Sequence, residues 1–445
     1  MTNTGNQPDP LTRRLFLQRA LAAGALTAGG ATMAGCGVFG TGDRGLANRS
    51  GPTGAATAAS KPKTGSPPPR GSMTADAVSD RVLVVVDLQG GNDGLSTLVP
   101  YGDGRYYDLR PELSIPDSEV LAIDDQVGFH PALAGLHRRG AATVEGVGPI
   151  DGDLSHFAMA ARWQRGDVDG SDPFSRTGFL ARVVDTLDDG GPLVGVSTGG
   201  PSPYLSSATA ATLSLTSPDQ LWMLQPTDWD EVSAFQRRLA EFDDGSAPWA
   251  NTGLGSVADG YDRLLGLAAD LDNGEDEIDW DQPMLANGGD LGRQLYLAAD
   301  LVAAEVGTRV IYARTGDYDT HSGHQWRQAE NLGRVDAAVD GFLGRAETLG
   351  FADRVVVATV SEFGRRVPEN GNGLDHGVAS TMLLAGAGVG GQHGERPDLD
   401  GLDDGDNIPT AIGFDRYLAS LAEEWLGIEA ASVLSTEPDP LGLFS

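Results

Sequence analysis

Six short apolar runs, separated by longer stretches of mixed polarity, give this chain its main pattern. The runs are rich in Val, Ile, Leu and Ala and cover residues 82–86, 142–147, 193–196, 308–313, 354–360 and 382–385. Runs of this length without alternating polar positions are typical of central strands that are covered on both faces of a sheet. We therefore predict that they form one buried sheet.

Two of the intervening stretches have the period of an amphipathic helix. Over residues 291–306 and 325–349 the apolar side chains recur so that they share one helical face. Helices that alternate with buried strands predict an α/β fold with a doubly wound, mostly parallel sheet. Residues 199–283 are acidic, rich in glycine and less regular, so we predict that they form an excursion over the sheet.

The N-terminal segment has the features of an export signal. Arg13 and Arg14 precede an apolar stretch at residues 21–34, which is rich in alanine and glycine and too short for a stable membrane span. This order is the signature of the twin-arginine route, which exports folded proteins. Residues 1–36 are predicted to be a twin-arginine signal peptide, and the export machinery is a predicted partner.

The only cysteine of the chain, Cys36, ends this segment in the sequence M-A-G-C. The sequence resembles a bacterial lipobox, in which the cysteine is lipidated and becomes the mature N-terminus; the alternative is ordinary cleavage nearby. Residues 37–80 are mostly Gly, Ser, Thr, Ala and Pro, and cannot bury a core. We predict a disordered tether there and a folded domain over residues 81–445. The protein would then reside in the cell envelope or at the cell surface, with the lipid anchor as its only membrane contact.

The charge of the chain argues against one class of partner. Asp and Glu number 63 against 31 Lys and Arg, which gives a formal net charge of −32. Such a surface repels the phosphate backbone of a nucleic acid, and it disfavours docking on anionic lipid. We expect no nucleic-acid partner.

Acids and histidines are concentrated after the later apolar runs. The motifs are D-Y-D-T-H at residues 317–321, S-E-F-G-R-R at residues 361–366 and D-H-G at residues 375–377. Imidazole with carboxylate suits Zn, Mn or Fe, and oxygen-rich variants suit Mg or Ca. Ligands bind where the strands of an open α/β sheet end, so these motifs predict a divalent metal centre at that edge. Its candidate ligands are Asp319, His321, Glu362, Asp375 and His376.

Two segments of the N-terminal half add candidates. Asp87 ends the first apolar run, and Asp93 lies in the glycine-rich turn that follows it. Glycines let backbone N–H groups approach an anion or a metal-bound ligand, although a tight structural turn explains them as well. Ser155 and His156 are predicted to open a helix, where the serine is an N-cap or where the helix dipole steadies an attacking alkoxide.

The family that these segments resemble is the domain of unknown function 1501 family, over about residues 81–425. The matching motifs, in order, are R-V-L-V-V-V-D-L-Q-G-G-N-D-G-L, V-P-Y-G-D, L-S-H-F, D-Y-D-T-H-S-G, S-E-F-G-R-R and D-H-G. Its members are exported proteins, commonly with twin-arginine signals, that are similar to sulfatases and alkaline phosphatases. The resemblance implies an alkaline-phosphatase-like core with two metals at the carboxyl ends of the strands.

The resemblance also implies roles for single residues. Asp87 or Asp93 would supply the acid after the first strand, as a metal ligand. Ser155 would be the nucleophile, and His376 would be the last histidine ligand. Asp375 would either bind the metal itself or hydrogen-bond to a residue that does.

The chain departs from the wider superfamily at two places. Asp319 and His321 are closer in sequence than the superfamily's Asp-x-x-x-His motif, and Glu362-Phe363 stands where an Asp-His pair is expected. The second departure removes one histidine ligand. The sequence leaves open whether the site holds two metals, one or none.

The leading functional hypothesis is a metal-dependent hydrolase of phosphate or sulfate esters outside the cytoplasm. Metal would activate Ser155 or a water, His156 would assist, and Arg365 or Arg366 would grip the oxyanion through a bidentate fork. The alternative is a non-catalytic envelope lipoprotein for binding or assembly that reuses the fold. A carbohydrate- or polymer-active protein is a third possibility.

Overall fold

The computed structural model describes residues 80–171, 177–187, 193–207, 212–217 and 278–444. The predicted signal peptide with Arg13, Arg14 and Cys36 lies outside the described residues, as do the tether up to residue 79 and most of the predicted excursion.

Twelve strands form two sheets within the described residues. They are β1 (Val82–Leu88), β2 (Leu98–Val99), β3 (Leu121–Ala122), β4 (Gly128–Phe129), β5 (Ala142–Gly148), β6 (Gly195–Ser197), β7 (Thr212–Ser214), β8 (Val310–Thr315), β9 (Val355–Val360), β10 (Ser380–Gly386), β11 (Gln392–Gly394) and β12 (Ile412–Gly413). The main sheet has the order β11-β5-β10-β9-β1-β8-β6-β7, with β12 on β5, and β2-β4-β3 form a small second sheet.

The main sheet is parallel except at β10. β1 pairs in parallel with β8 and β9, and β6 pairs in parallel with β8 and β7. β10 is antiparallel to both β9 and β5, so β5 runs in the same direction as β9. The carboxyl ends of β1, β5, β8 and β9 therefore share one edge of the sheet with the beginning of β10.

Helices cover both faces of the main sheet. The described α-helices are α1 (Gly94–Thr97), α2 (Gly104–Leu109), α3 (Ala134–Arg139), α4 (His156–Arg165), α5 (Phe179–Leu187), α6 (Pro283–Asn287), α7 (Gly289–Ala303), α8 (His324–Leu349), α9 (Phe414–Ala419) and α10 (Ala430–Val433). A π-helical segment, Ser420–Trp425, continues α9. None of the described helices is long and apolar enough to cross a membrane.

The alternation of side chains along β1 divides the core in two. Val82, Val84 and Val86 pack with the apolar faces of α7 and α8, whereas Leu83 and Val85 pack with α4, α5 and α9. All residues of β1 are buried, because both faces are covered. The expected doubly wound, mostly parallel α/β fold is therefore confirmed.

Candidate metal centre

The shared strand edge brings together four side chains that are distant in sequence. Asp319 and His321 follow β8, and His156 opens α4 after β5. His376 precedes β10, and it reaches the same edge because β10 is antiparallel to its neighbours. We call His156, Asp319, His321 and His376 the histidine–aspartate group.

The ligating atoms of His156, Asp319 and His376 all lie within 4.8 Å of one another, and His321 contacts this cluster through Asp319 and His376. Oδ1 of Asp319 lies 3.3 Å from Nε2 of His376, 3.3 Å from Nε2 of His321 and 3.5 Å from Nε2 of His156. The Nε2 atoms of His321 and His376 are 2.9 Å apart. Nε2 of His156 is buried and has no hydrogen-bond partner in the part of the chain that the structure describes.

Each histidine of the group is held from behind through its other ring nitrogen. Nδ1 of His156 lies 2.8 Å from a carboxylate oxygen of Glu362, and Nδ1 of His321 lies 3.0 Å from one of Asp375. Nδ1 of His376 lies 2.7 Å from the carbonyl oxygen of Leu154. Ionised carboxylates and carbonyls only accept hydrogen bonds, so each Nδ1 carries the proton and donates it. Nε2 is then the free lone pair of each neutral imidazole.

These tautomers make the group incomplete without a positive charge. Two lone pairs at the 2.9 Å separation of His321 and His376 repel each other unless a proton or a metal ion lies between them. Burial lowers the pKa of His376, which works against a proton there. The Glu362 hydrogen bond raises the pKa of His156. A cation among His156, Asp319 and His376 would satisfy the lone pairs that these three side chains direct at one another.

Four of the separations between these atoms are close to those in a transition-metal site. Ligand atoms at about 2.0–2.1 Å from a zinc-like ion are about 3.3 Å from one another. The observed separations run from 2.9 to 3.5 Å. Three imidazoles and one carboxylate suit Zn, Mn, Fe or Cu better than the oxygen-seeking Mg or Ca. The residues present therefore fit one metal ion.

Arg365, predicted to grip a substrate oxyanion, is instead used inside the protein. Its buried guanidinium donates to the carbonyl oxygens of Gly90, Gly91, Tyr318 and Leu374 and to Oδ1 of Asp319, at 2.9 Å for the last. Burial alone would raise the pKa of Asp319, but the Arg365 hydrogen bond and charge lower it to about 2. This residue therefore ties three loops together and keeps the carboxylate charged.

Glu362 and Asp375, predicted as ligands, occupy a second layer. Glu362 accepts from His156 and from the backbone N–H of Gly90 at 2.8 Å. Asp375 accepts from His321 and from the Asn370 side chain. Carboxylates in this position fix the ring orientation and increase the basicity of a histidine ligand. Their described contacts with the candidate metal centre are those with His156 and His321, and direct coordination by either acid stays a prediction.

Phe363, which stands where the superfamily has a histidine, packs against the group. Its ring centroid is 4.7 Å from that of His156 and 4.8 Å from that of His376. The side chain also explains Gly91, because a Cβ there would lie 2.5 Å from the Phe363 ring. A Cβ on Gly90 would similarly lie 2.5 Å from the backbone nitrogen of Asp319. The glycines thus allow the loop after β1 to lie close to the loop that carries Asp319 and His321, which we call the ligand loop.

Asp93, predicted as a metal ligand, is separate from the histidine–aspartate group. It caps α1 and forms a fully buried two-bond ion pair with Arg110 at 2.6 and 3.0 Å. His324 lies 3.3 Å from the same carboxylate. Although burial opposes its charge, Arg110 and His324 hold the pKa of Asp93 well below its usual range. These partners already occupy the carboxylate, and the role of Asp93 as a metal ligand stays a prediction.

Ser155 is the N-cap of α4, as one of the two readings of the sequence has it. Its exposed hydroxyl accepts weakly from the backbone N–H of Ala158 at 3.5 Å. The described contacts of the hydroxyl include no member of the histidine–aspartate group. Its role as a nucleophile stays a prediction, whereas the adjacent His156, predicted as catalytic, lies among the candidate ligands.

Asp87, the other predicted acid, faces a neighbouring cavity. It accepts from the Tyr312 hydroxyl at 2.8 Å and from the Gln89 amide at 3.1 Å. Burial, and then the nearby charge of Glu362, raise its pKa to about 7. The cavity of about 340 Å³ is also lined by His156 and Glu362, so it adjoins the candidate metal centre.

Two contributions to the site are hard to predict from the sequence alone. His156 became a ligand candidate only when β5 placed the start of α4 at the shared edge, and the carbonyl of Leu154 has no side-chain signature. The run D-L-S-H, in which a histidine follows a capping serine after a buried strand, is the one local signal for His156.

Comparison with solved structures finds similar chains at low identity. The lipoteichoic acid synthase LtaP from Listeria monocytogenes is 9% identical, with a TM-score of 0.36, over 82% of this chain and 77% of that one. The PsFucS1 sulfatase from Pseudoalteromonas sp. is 8% identical, with a TM-score of 0.35, over 81% of this chain and 73% of that one. No curated protein sequence matches the chain.

One family model matches the chain, over residues 268–407. This region includes Asp319, His321, Glu362, Asp375 and His376, while His156 lies before it. The model is described as a protein of unknown function (DUF1501), and it is the family that the motifs of this chain resemble.

Proposed function

We propose that this protein is an exported, lipid-anchored, metal-dependent hydrolase of phosphate or sulfate esters. The observation that supports a bound metal is the 2.9 Å distance between Nε2 of His321 and Nε2 of His376. In both residues Nδ1 is already hydrogen-bonded to an acceptor. A divalent ion held by the histidine–aspartate group would supply Lewis acidity toward an ester oxygen. Hydrolysis is the use of such a site that the family resemblance favours.

The chain itself prepares the site for this role. Arg365 keeps Asp319 ionised, and the hydrogen bonds of Glu362 and Asp375 present lone pairs of His156 and His321 toward the centre. Asp319 and His321 are each 47% exposed, so the centre is open to solvent on their side. A substrate has access there without movement of the core.

Elemental analysis of the purified full-length protein tests the metal first. We expect about one equivalent of a transition metal, and its loss in Asp319→Ala and His376→Ala. His393→Ala is the matched control, because His393 lies in β11 outside the group. A screen of phosphate and sulfate esters then tests hydrolysis. If both variants hydrolyse the same esters as fast as the wild type does, the histidine–aspartate group is not part of the catalytic mechanism.

One observation favours a non-catalytic role as the second candidate. If His321 coordinates together with His156, Asp319 and His376, four protein ligands would fill a tetrahedron, and such closed sites are typical of structural zinc, whereas catalytic sites keep one position open. In that case the metal would stabilise the strand edge of an envelope binding or assembly protein. Chelation would then lower the midpoint of thermal unfolding, and no ester would be turned over.

The location proposed here rests on the sequence of the N-terminal segment. Arg13 and Arg14 support export by the twin-arginine machinery, and Cys36 supports lipid anchoring as the only membrane contact. Replacement of both arginines by lysine is expected to block export. Cys36→Ala is expected to move the exported protein from the membrane fraction to the soluble fraction, with loss of the acyl mass. An unchanged membrane fraction in Cys36→Ala would exclude the anchor.

A further inference from the structure

A cavity of about 340 Å³ beside the histidine–aspartate group is lined by two acids and by three aromatic side chains. Asp87 and Glu362 are each only 6% exposed. Phe157, Trp163 and Tyr204 also line the cavity. His156 is shared between this cavity and the candidate metal centre, so the two spaces adjoin.

Each acid keeps one oxygen available. The described hydrogen bonds reach Asp87 at Oδ2, from Tyr312 and Gln89. Those of Glu362 reach Oε1, from Gly90 and His156. Among the described residues, no donor is placed on Oδ1 of Asp87 or Oε2 of Glu362, and neither atom is sealed from the cavity. The lining of the cavity therefore offers two acceptors of negative character.

No lysine or arginine is among the described residues that line this cavity. A carboxylate taken out of water requires a positive partner or a proton. Asp87 and Glu362 are both buried in this lining, which therefore has a deficit of fixed positive charge. An occupant with positive charge relieves this deficit, and an anionic occupant worsens it.

The aromatic part of the lining decides the kind of cation. Its accessible ring is that of Phe157, since Trp163 and Tyr204 are only 1% and 2% exposed. The faces of Phe, Tyr and Trp rings attract cations electrostatically, and they favour ammonium groups that carry carbon over hydrated metal ions. Phe157 is 91% exposed at this position, which is unusual for a phenylalanine without a partner. We propose that the cavity binds a small organic ammonium group between Asp87 and the Phe157 ring. If the proposed hydrolase function holds, its substrate is an ester that carries such a group.

The test is calorimetric titration of the purified full-length protein with choline and ethanolamine. The control ligand is 3,3-dimethylbutan-1-ol, which has the shape of choline without its charge. We expect choline to bind at least about tenfold more tightly than the neutral alcohol, as expected for a cation at buried acids and rings. Asp87→Asn is expected to abolish the preference, whereas Asp108→Asn, an exposed acid elsewhere, retains it.

A second variant keeps the test independent of folding. Phe157 is exposed, so Phe157→Ala leaves the core intact, and we expect it to weaken choline binding by about threefold or more. Equal binding of choline and the neutral alcohol, or no binding of either ammonium, would overturn the proposal. So would a divalent ion that binds in an Asp87-dependent way and excludes choline.

All titrations are done on chelator-treated protein and on protein loaded with metal. If the chelated protein still binds choline and the protein takes up no metal, the ammonium site is supported and the proposed metal-dependent hydrolase is wrong. Metal uptake and ester hydrolysis without any ammonium preference would do the reverse. The two proposals therefore fail separately.

Discussion

The Thr320 hydroxyl lies 2.8 Å from Nδ1 of His324, and this contact joins the ligand loop to the buried interior. Thr320 stands between Asp319 and His321, and it is fully buried. His324 in turn lies 3.3 Å from the carboxylate of Asp93. The position of the two candidate ligands is thus fixed by a polar network behind them.

Removal of this contact is expected to weaken the metal centre without unfolding the protein. Thr320→Val keeps the shape of the side chain and loses the bond to His324. Loss of an outer partner typically costs about 10–100-fold in metal affinity, and we expect the lower end, because Thr320 acts through the backbone. Competition with a chromogenic chelator measures the affinity. Thr348→Val, on the exposed surface of α8, is the control and should bind metal as the wild type does.

The carboxylate behind His321 is expected to matter more. Asp375→Asn can still accept the Nδ1 proton through its amide oxygen, but it removes the negative charge that makes His321 basic. We expect metal affinity to fall by about 10–100-fold, with little change in the midpoint of thermal unfolding of the metal-free protein. If Asp375→Asn binds metal as tightly as the wild type, His321 is not a ligand.

Much of the fold follows from the sequence because its signals are local. The run over residues 82–86 predicts β1, and the apolar face over residues 325–349 predicts α8, since both signals depend only on neighbouring residues. The antiparallel direction of β10 is not local. It depends on which strands pair, and a run of apolar residues reads the same in either direction.

The sequence predicts which acids and histidines lie at the strand edge. It does not predict which of them face the centre and which contact another side chain. Asp319, His321 and His376 lie together as expected, whereas Glu362 stands behind His156 and Asp93 pairs with Arg110. A motif shows that an acid is at the strand edge. Only the packing of side chains decides whether that acid faces the centre, a histidine or a buried arginine.

Arg365 provides a test of its reassignment from substrate binding to loop fixation. Arg365→Met leaves several carbonyl oxygens and Asp319 without their donor in a buried place. We expect a loss of about 3–5 kcal/mol in the free energy of unfolding. Urea denaturation of metal-free protein measures this. Arg366→Met is the neighbouring control, and its cost should be clearly smaller. A stable Arg365→Met variant that has lost only substrate affinity would restore the earlier prediction.

The buried pair of Asp93 and Arg110 should appear as sensitivity to acid. The folded-state pKa of Asp93 is depressed, so its stabilisation is complete above its unfolded pKa of about 3.9 and is lost as the pH falls below that value. Asp93→Asn leaves the Arg110 charge unpaired, at an expected cost of about 3–5 kcal/mol at pH 7. The difference between wild type and variant should narrow as the solution is acidified from about pH 4. A difference in urea denaturation that stays constant over this pH range would show that the folded-state pKa of Asp93 is not depressed.

Asp87 should have the opposite dependence on pH. Its folded-state pKa is raised from 3.8 to about 7, so between these values the unfolded chain releases a proton that the folded chain retains. Stability then falls as the pH rises from about 4 to about 7, by up to about 4 kcal/mol if no cation is bound. Asp87→Asn has no carboxyl group to titrate at this position, so it does not lose this stability. Its free energy of unfolding relative to that of the wild type should therefore increase from pH 4 to pH 8. Urea denaturation in phosphate buffer measures the difference, with Asp108→Asn as the control.

Added choline should raise the stability of the wild type at pH 8 and leave Asp87→Asn unchanged, since a cation at the carboxylate replaces the missing proton. A pH-independent difference between wild type and Asp87→Asn would mean that this acid is ionised without an occupant, and the electrostatic case for an ammonium site would fail.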